Sequence, residues 1–219
     1  MAYNWKLSVD KAGKPNGNVV TSMFRGAYCN LLVPKGIKGD ANSEPKYGLA
    51  MLFPKGEDFT LLKGEVMRVA KEKWGEKAED VLRKQQNSDK RIFKDAGEKS
   101  DVAGFEEGCV YLQAGNKNKP GLVGKKAGPD GSLIEITDED AVWSGDYFVA
   151  SIRPFAWEHP VGGKGVSLSL QHIQLVKKGE RLGGGRSRPS DDFEASDDDD
   201  TDALDNQTSA PVSGKDPFA

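Results

Sequence analysis

The break near Leu182 limits more than any other feature how this chain can fold. Past it runs Gly183-Gly184-Gly185-Arg186-Ser187-Arg188-Pro189, which offers almost no side chain to bury, and then an acidic stretch. From Ser190 to Ala219 there are ten acidic residues: Asp191, Asp192, Glu194, Asp197, Asp198, Asp199, Asp200, Asp202, Asp205 and Asp216. Lys215 alone opposes them, so this segment carries nine net negative charges. Phe193, Leu204 and Val212 are scattered through it without a period. A segment of this kind buries too little apolar area to offset the entropy of ordering it. One folded domain over 1–182 is therefore expected, followed by a glycine-rich hinge and disordered acidic tail over 183–219. The formal net charge of −3 hides an opposition, because residues 1–189 hold thirty basic and twenty-four acidic side chains and are net positive by six.

No apolar stretch approaches the ~20 residues of a membrane span. The start, Met1-Ala2-Tyr3-Asn4-Trp5-Lys6, lacks the apolar run of a signal peptide, so a cytoplasmic location is expected. Cys29 and Cys109 lie too far apart to suggest a small disulfide scaffold. With His159 and His172 they show none of the close pairing of zinc modules, and no metal or other cofactor is expected.

The first 182 residues read mainly as strands. Five candidates are Val19 to Pro34, Lys46 to Pro54, Gly108 to Ala114, Asp146 to Trp157 and Val166 to Val176. In the last, Val166, Leu168 and Leu170 alternate with Ser167, Ser169 and Gln171, the pattern of a half-buried strand. Leu133 to Ile136 suggests a short extra one. Between Asp58 and Trp74 the period changes, with Leu62, Val66, Val69, Ala70 and Trp74 at helical spacing and Gly75 as a stop. Glu76 to Gln86 continues as a helical piece with a thin apolar face. Five main strands with a helix inserted predict a mainly β fold, a small five-stranded barrel rather than a doubly wound sheet.

Catalysis is not expected. Gly121-Leu122-Val123-Gly124-Lys125-Lys126 resembles part of a phosphate loop but lacks its spacing and its Ser or Thr. What remains is a basic β body bearing aromatic residues. Single-stranded nucleic acid asks for a positive groove along its phosphates and exposed rings for its unpaired bases. Stacking candidates are Phe105, Tyr111, Tyr147, Phe155 and Trp157. Basic candidates are Lys35, Lys46, Arg91, Lys94, Lys117, Lys119, Lys125, Lys126 and Arg153. The tail, with Asp197, Asp198, Asp199, Asp200, Asp216 and Phe218, would compete for the cationic groove and present itself to other proteins. The rival reading is an acidic-tailed adaptor that binds proteins without touching DNA.

Two segments carry a resemblance: Arg25-Gly26-Ala27-Tyr28-Cys29-Asn30-Leu31-Leu32-Val33-Pro34-Lys35, and Glu44-Pro45-Lys46-Tyr47-Gly48-Leu49-Ala50-Met51-Leu52-Phe53-Pro54-Lys55. Gly104-Phe105-Glu106, Tyr111-Leu112-Gln113-Ala114 and Ser144-Gly145-Asp146-Tyr147 add to it. Together they resemble bacteriophage single-stranded-DNA-binding proteins of the T7-like type. The resemblance implies an OB-fold variant, sequence-nonspecific binding of single-stranded DNA, and a role in phage DNA replication and recombination in the host cytoplasm. It also implies an acidic C-terminus that meets replication proteins such as a polymerase or helicase. In that family the chain ends with an aromatic; here Ala219 follows Phe218. A homo-oligomer is compatible with the sequence.

Overall fold

The computed structural model describes residues 3–36 and 43–183. The expected tail and most of its hinge lie outside the described residues.

Five strands close into a ring. They are β3 (Phe24–Lys35), β4 (Lys46–Phe53), β6 (Val110–Asn116), β9 (Tyr147–His159) and β10 (Gly163–Lys177). β3, β4 and β6 form an antiparallel meander. β10 then pairs parallel to β6 and antiparallel to β9, and β9 returns antiparallel to β3. This is the OB-like ring that the sequence reading expects, built from the five strands it picks out. Outside the ring, β1 (Lys6–Val9) and β2 (Pro15–Val20) form a hairpin on β9, while β7 (Gly121–Ala127) and β8 (Leu133–Glu135) extend from β10. A short β5 (Lys94–Asp95) pairs with β6.

The interior follows the period-two alternation. Phe24, Met51, Phe53, Leu112, Phe148, Ile152 and Leu170 point inward and are almost wholly buried. Between β4 and β6 the chain makes α1 (Thr60–Trp74) and α2 (Ala78–Gln86), joined by a 3-10 turn. Leu62, Val66 and Ala70, one turn apart on α1, add their face to the same core. Asp58 Oδ1 accepts the Thr60 N–H at the start of α1, and Gly75, at φ 56°, ends it.

One local reading changes. The strand expected from Val19 to Pro34 is broken, because the Thr21 hydroxyl takes the place of a ladder partner and accepts the Ala150 N–H at 3.0 Å. The stretch that resembles a phosphate loop is β7, whose backbone pairs with β10.

After β10 the chain folds back. Asp146 is fully buried; its carboxylate accepts the backbone N–H groups of Trp143 and Gly179 at 3.0 Å each and the Lys178 ammonium at 2.6 Å. Leu182 donates its N–H to Ser144 and packs beside Phe105, so the folded body continues to the residue where the sequence changes character. Replacing Asp146 by Ala strands two part-buried N–H donors and removes a charge-assisted bond. The expected loss is about 2–4 kcal/mol, read in thermal unfolding as a fall in Tm of roughly 5–15 °C. An unchanged Tm would contradict this anchoring role.

Candidate nucleic-acid interface

The outer face of the ring is polar and small-featured. On β6, Leu112 and Ala114 point inward, so Gln113 and Gly115 point out. Ser167 and Ser169 do the same on β10, where Ser169 pairs with Gly115. On β9, Phe148 and Ile152 prove to be interior, which puts Tyr147, Arg153 and Phe155 on the other face. Phe155 lies directly opposite Ser167.

A groove of about 510 Å³ runs over this face. Phe155 and Trp157 line it from β9 and Arg91 and Lys94 from the segment around β5, with Gln113 and Ser167 between and the Lys90 ammonium reaching the Trp157 ring. Phe155 is 42% exposed. Trp157 is half-buried, and its indole N–H is buried without a partner among the described residues. A second hollow of about 600 Å³ shares Asp89, Lys90 and Trp157 with the groove and extends it past the β9–β10 turn, adding Lys77, Lys84 and Lys164. Across both hollows six cationic side chains face two acidic ones, Asp80 and Asp89. The field along this path is therefore positive.

One buried glutamine places the cations. Gln85, on α2, donates to the Val166 carbonyl at 2.7 Å and accepts the Val166 N–H at 2.9 Å. Its amide also donates to the Lys90 carbonyl at 2.9 Å. It behaves as one residue of an additional strand beside β10 and holds the turn carrying Lys90 and Arg91. A side chain at Gly165 would come within 2.6 Å of that amide, so glycine is required there. The thin apolar face of α2 is explained, since its third buried residue is this polar anchor.

Lys94 donates to Gln113 Oε1 at 2.7 Å. Burial, and then the neighbouring charges of Lys99 and Arg91, hold its ammonium below the usual lysine range. A cation in that state gains more than an ordinary surface lysine from an approaching phosphate. Lys90 donates to the Gly162 carbonyl, with its ammonium 5.2 Å from the centre of the Trp157 ring. Arg91 is paired with Glu98.

The sequence candidates thus separate. Phe155, Trp157, Arg91 and Lys94 come together. Phe105 and Tyr111, expected as stacking rings, are each only 3% exposed. The segment between β5 and β6 folds back over the outer face of β4 and β6 and seals both rings against Ala27, Ala50 and Leu52, so neither offers a face to a base. Tyr147 lies eight residues from Phe155 along β9, roughly 27 Å away, with the Lys177 ammonium 4.2 Å from its ring. Arg153 donates to Asn18 and Asn16 on the β1–β2 hairpin. Lys35 and Lys46 pair at the far end of the β3–β4 hairpin, and Lys117 near them is held by Glu44. Lys119 is exposed after β6, and Lys125 and Lys126 are exposed on β7, away from the groove. Local clustering does not single out Lys77 and Lys164, which only the fold brings to Trp157.

A closed OB-like ring with a cationic groove and an accessible ring on its wall has the equipment of a single-strand nucleic-acid-binding module. Residues 17–204 match the family described as the single-stranded-DNA-binding protein of Enterobacter phage Enc34, and the chain belongs to that family. Its members are defined by binding, not by catalysis. Protein p50 of Acyrthosiphon pisum secondary endosymbiont phage 1 is 28% identical over 174 residues, covering 78% of this chain and 89% of that protein. The C-terminally truncated Enc34 protein superposes with a TM-score of 0.58 at 20% identity, covering 83% of this chain and 99% of that one. The Enc34 protein in complex with single-stranded DNA gives 0.53 at 20% identity, over 76% and 90% of the two chains. At this identity these two structures speak for the fold, and they agree with the ring described above.

Gln85→Ala would leave both backbone groups of Val166 without their side-chain partner. The expected loss is about 2–3 kcal/mol, seen as a lower Tm and as faster amide exchange over residues 88–91. Native stability and exchange in that variant would show that Gln85 does not position the groove.

Proposed function

We propose that this chain is a sequence-nonspecific single-stranded-DNA-binding protein serving phage DNA replication and recombination in the host cytoplasm. The strand lies in the groove between Phe155 and Trp157 on one wall and Arg91 and Lys94 on the other, with Lys90 beside Trp157. Bases stack on the rings, each stack contributing on the order of 1–3 kcal/mol, and the cations take the phosphates. The observation that carries this reading is that groove, on the outer face of an OB-like ring in a chain of this family. Every base has a π-face, so stacking of this kind tolerates any sequence.

The acidic segment after Leu182 has a role in the same scheme. Nine net negative charges tethered to a body that is net positive by six are held at about millimolar effective concentration. They occupy the groove weakly and leave when DNA arrives. The freed segment, with its aspartates and Phe218, is then available to replication proteins such as a polymerase or helicase.

Titration of labelled oligo(dT) at several salt concentrations tests the groove. The log–log slope should be about −0.7 for each phosphate neutralised. Lys94→Gln should make it shallower by about that amount, and Phe155→Ala should weaken binding about fivefold or more. Salt-independent affinity, or variants that bind as the parent does, would contradict the assignment.

Removal of residues 183–219 should tighten binding of single strands and leave Tm unchanged. Weaker binding by the shortened protein would overturn the competitive role, and capture of a replication protein by the isolated tail together with no binding of single strands by the tail-less body would favour the adaptor reading.

A further inference from the structure

Tyr28 is, among the described residues, the non-glycine residue with a positive φ, at 51°. It stands where β3 slips against β4. Ala27 faces Ala50 and Asn30 faces Gly48, so Tyr28 and Cys29 together oppose Leu49 and one residue is extra. Strict alternation would send the Tyr28 ring into the barrel beside Gly26. There is no room there, since even a Cβ on Gly26 would lie 2.7 Å from the Phe148 ring. The left-handed turn sends the phenol outward instead, and Tyr28 is 49% exposed. Cys29 turns back toward the core, its N–H donated to Ser144 Oγ at 3.2 Å.

A bulky side chain in this conformation is strained relative to glycine, which adopts it freely. Bulges recur beside functional sites because they re-aim a side chain. Core packing does not account for the strain here, because Phe105 and Tyr111 already fill the covered part of this face. Instead those two buried rings form a wall behind Tyr28. Phe105 lies 5.9 Å from Tyr28 and 5.1 Å from Tyr111, ring centre to ring centre.

The exposed ring is linked to the groove by cations. The Lys99 ammonium sits 5.7 Å from the Tyr28 ring and 5.4 Å from the Tyr111 ring, and that of Lys94 lies 5.7 Å from the latter. Lys94 is part of the groove wall. Along the sheet, Ala27, Ala50 and Gln113 stand in register across β3, β4 and β6, and Ser167 faces Phe155 across β10 and β9. From Tyr28 to Phe155 is thus about four strand spacings along the sheet, roughly 19 Å, with Ala27 and Ala50 covered by Phe105 and Tyr111 and with Gln113 and Ser167 beyond them on the groove side.

We propose that Tyr28 is a second stacking platform, on which a base of the same DNA strand rests after passing Lys94 and Lys99. The proposal rests on the single-strand reading above. The full chain carrying Tyr28→Gly, Tyr28→Asn or Tyr28→Phe is titrated with long and short oligo(dT), with Phe155→Ala as reference. Glycine and asparagine both tolerate the left-handed turn. Both variants should keep Tm or raise it and bind long oligo(dT) about fivefold or more weakly. Tyr28→Phe should bind as the parent does. Oligonucleotides too short to leave the Phe155–Trp157 groove should be indifferent to position 28. Parent-like binding of the glycine and asparagine variants, with Phe155→Ala weakened, would end the Tyr28 proposal and leave the groove reading standing. Weakening that follows a lowered Tm, or is equal for short and long strands, would also end it. A parent protein that binds no single-stranded DNA would end both.

Discussion

The architecture depends on one short seam, the parallel pairing of β6 with β10. Its register pairs Ala114 with Leu168 and Gly115 with Ser169, and it joins segments more than fifty residues apart. Two side chains extend it. Asn116 donates to Ser169 Oγ at 3.1 Å and to the Leu170 carbonyl at 2.9 Å at one end, and Gln85 pairs with Val166 at the other. A ring has no free edge to satisfy, so closing this seam completes the hydrogen bonding of the core strands. The same closure puts Gln113 beside Ser167 and hence beside Phe155, which is the floor of the groove.

The insertion between β4 and β6 serves the site twice. Its first part, α1, fills the core with Leu62, Val66 and Ala70. Its second part, α2 and the turn after it, brings Lys90, Arg91 and Lys94 onto the seam from a distant stretch of chain. The segment that follows folds back over β4 and β6 and buries Phe105 and Tyr111. Those rings support the face rather than serve as its contact surface. Charge, rings and a smooth floor therefore meet on one side of the ring, while Lys125 and Lys126 stand apart on β7.

Alternation and turn residues made the five ring strands and both helices legible, because each signal is local. The break at Thr21 was not, since it depends on a hydroxyl meeting Ala150 from another strand. The site shows the same division. Strand period and charge clustering single out Phe155, Trp157, Arg91 and Lys94 one by one, and only the fold brings them together. Tyr111 has polar neighbours, Cys109 and Gln113, and so reads as exposed, but the cover over it comes from residues whose docking the sequence does not display. Tyr28 escapes for a related reason: its outward aim comes from a one-residue slip against β4, and period-two counting assigns it to the interior.

Amide hydrogen exchange of the full chain, with and without oligo(dT), reads where the unpaired strand lies. Slower exchange in the DNA complex is expected over Lys90–Lys94, Gln113–Gly115, Phe155–Trp157 and Ser167–Ser169, with α1 and the β7–β8 hairpin unchanged. Protection confined to α1 or to β7 and β8, with those four segments exchanging as in the free protein, would contradict it.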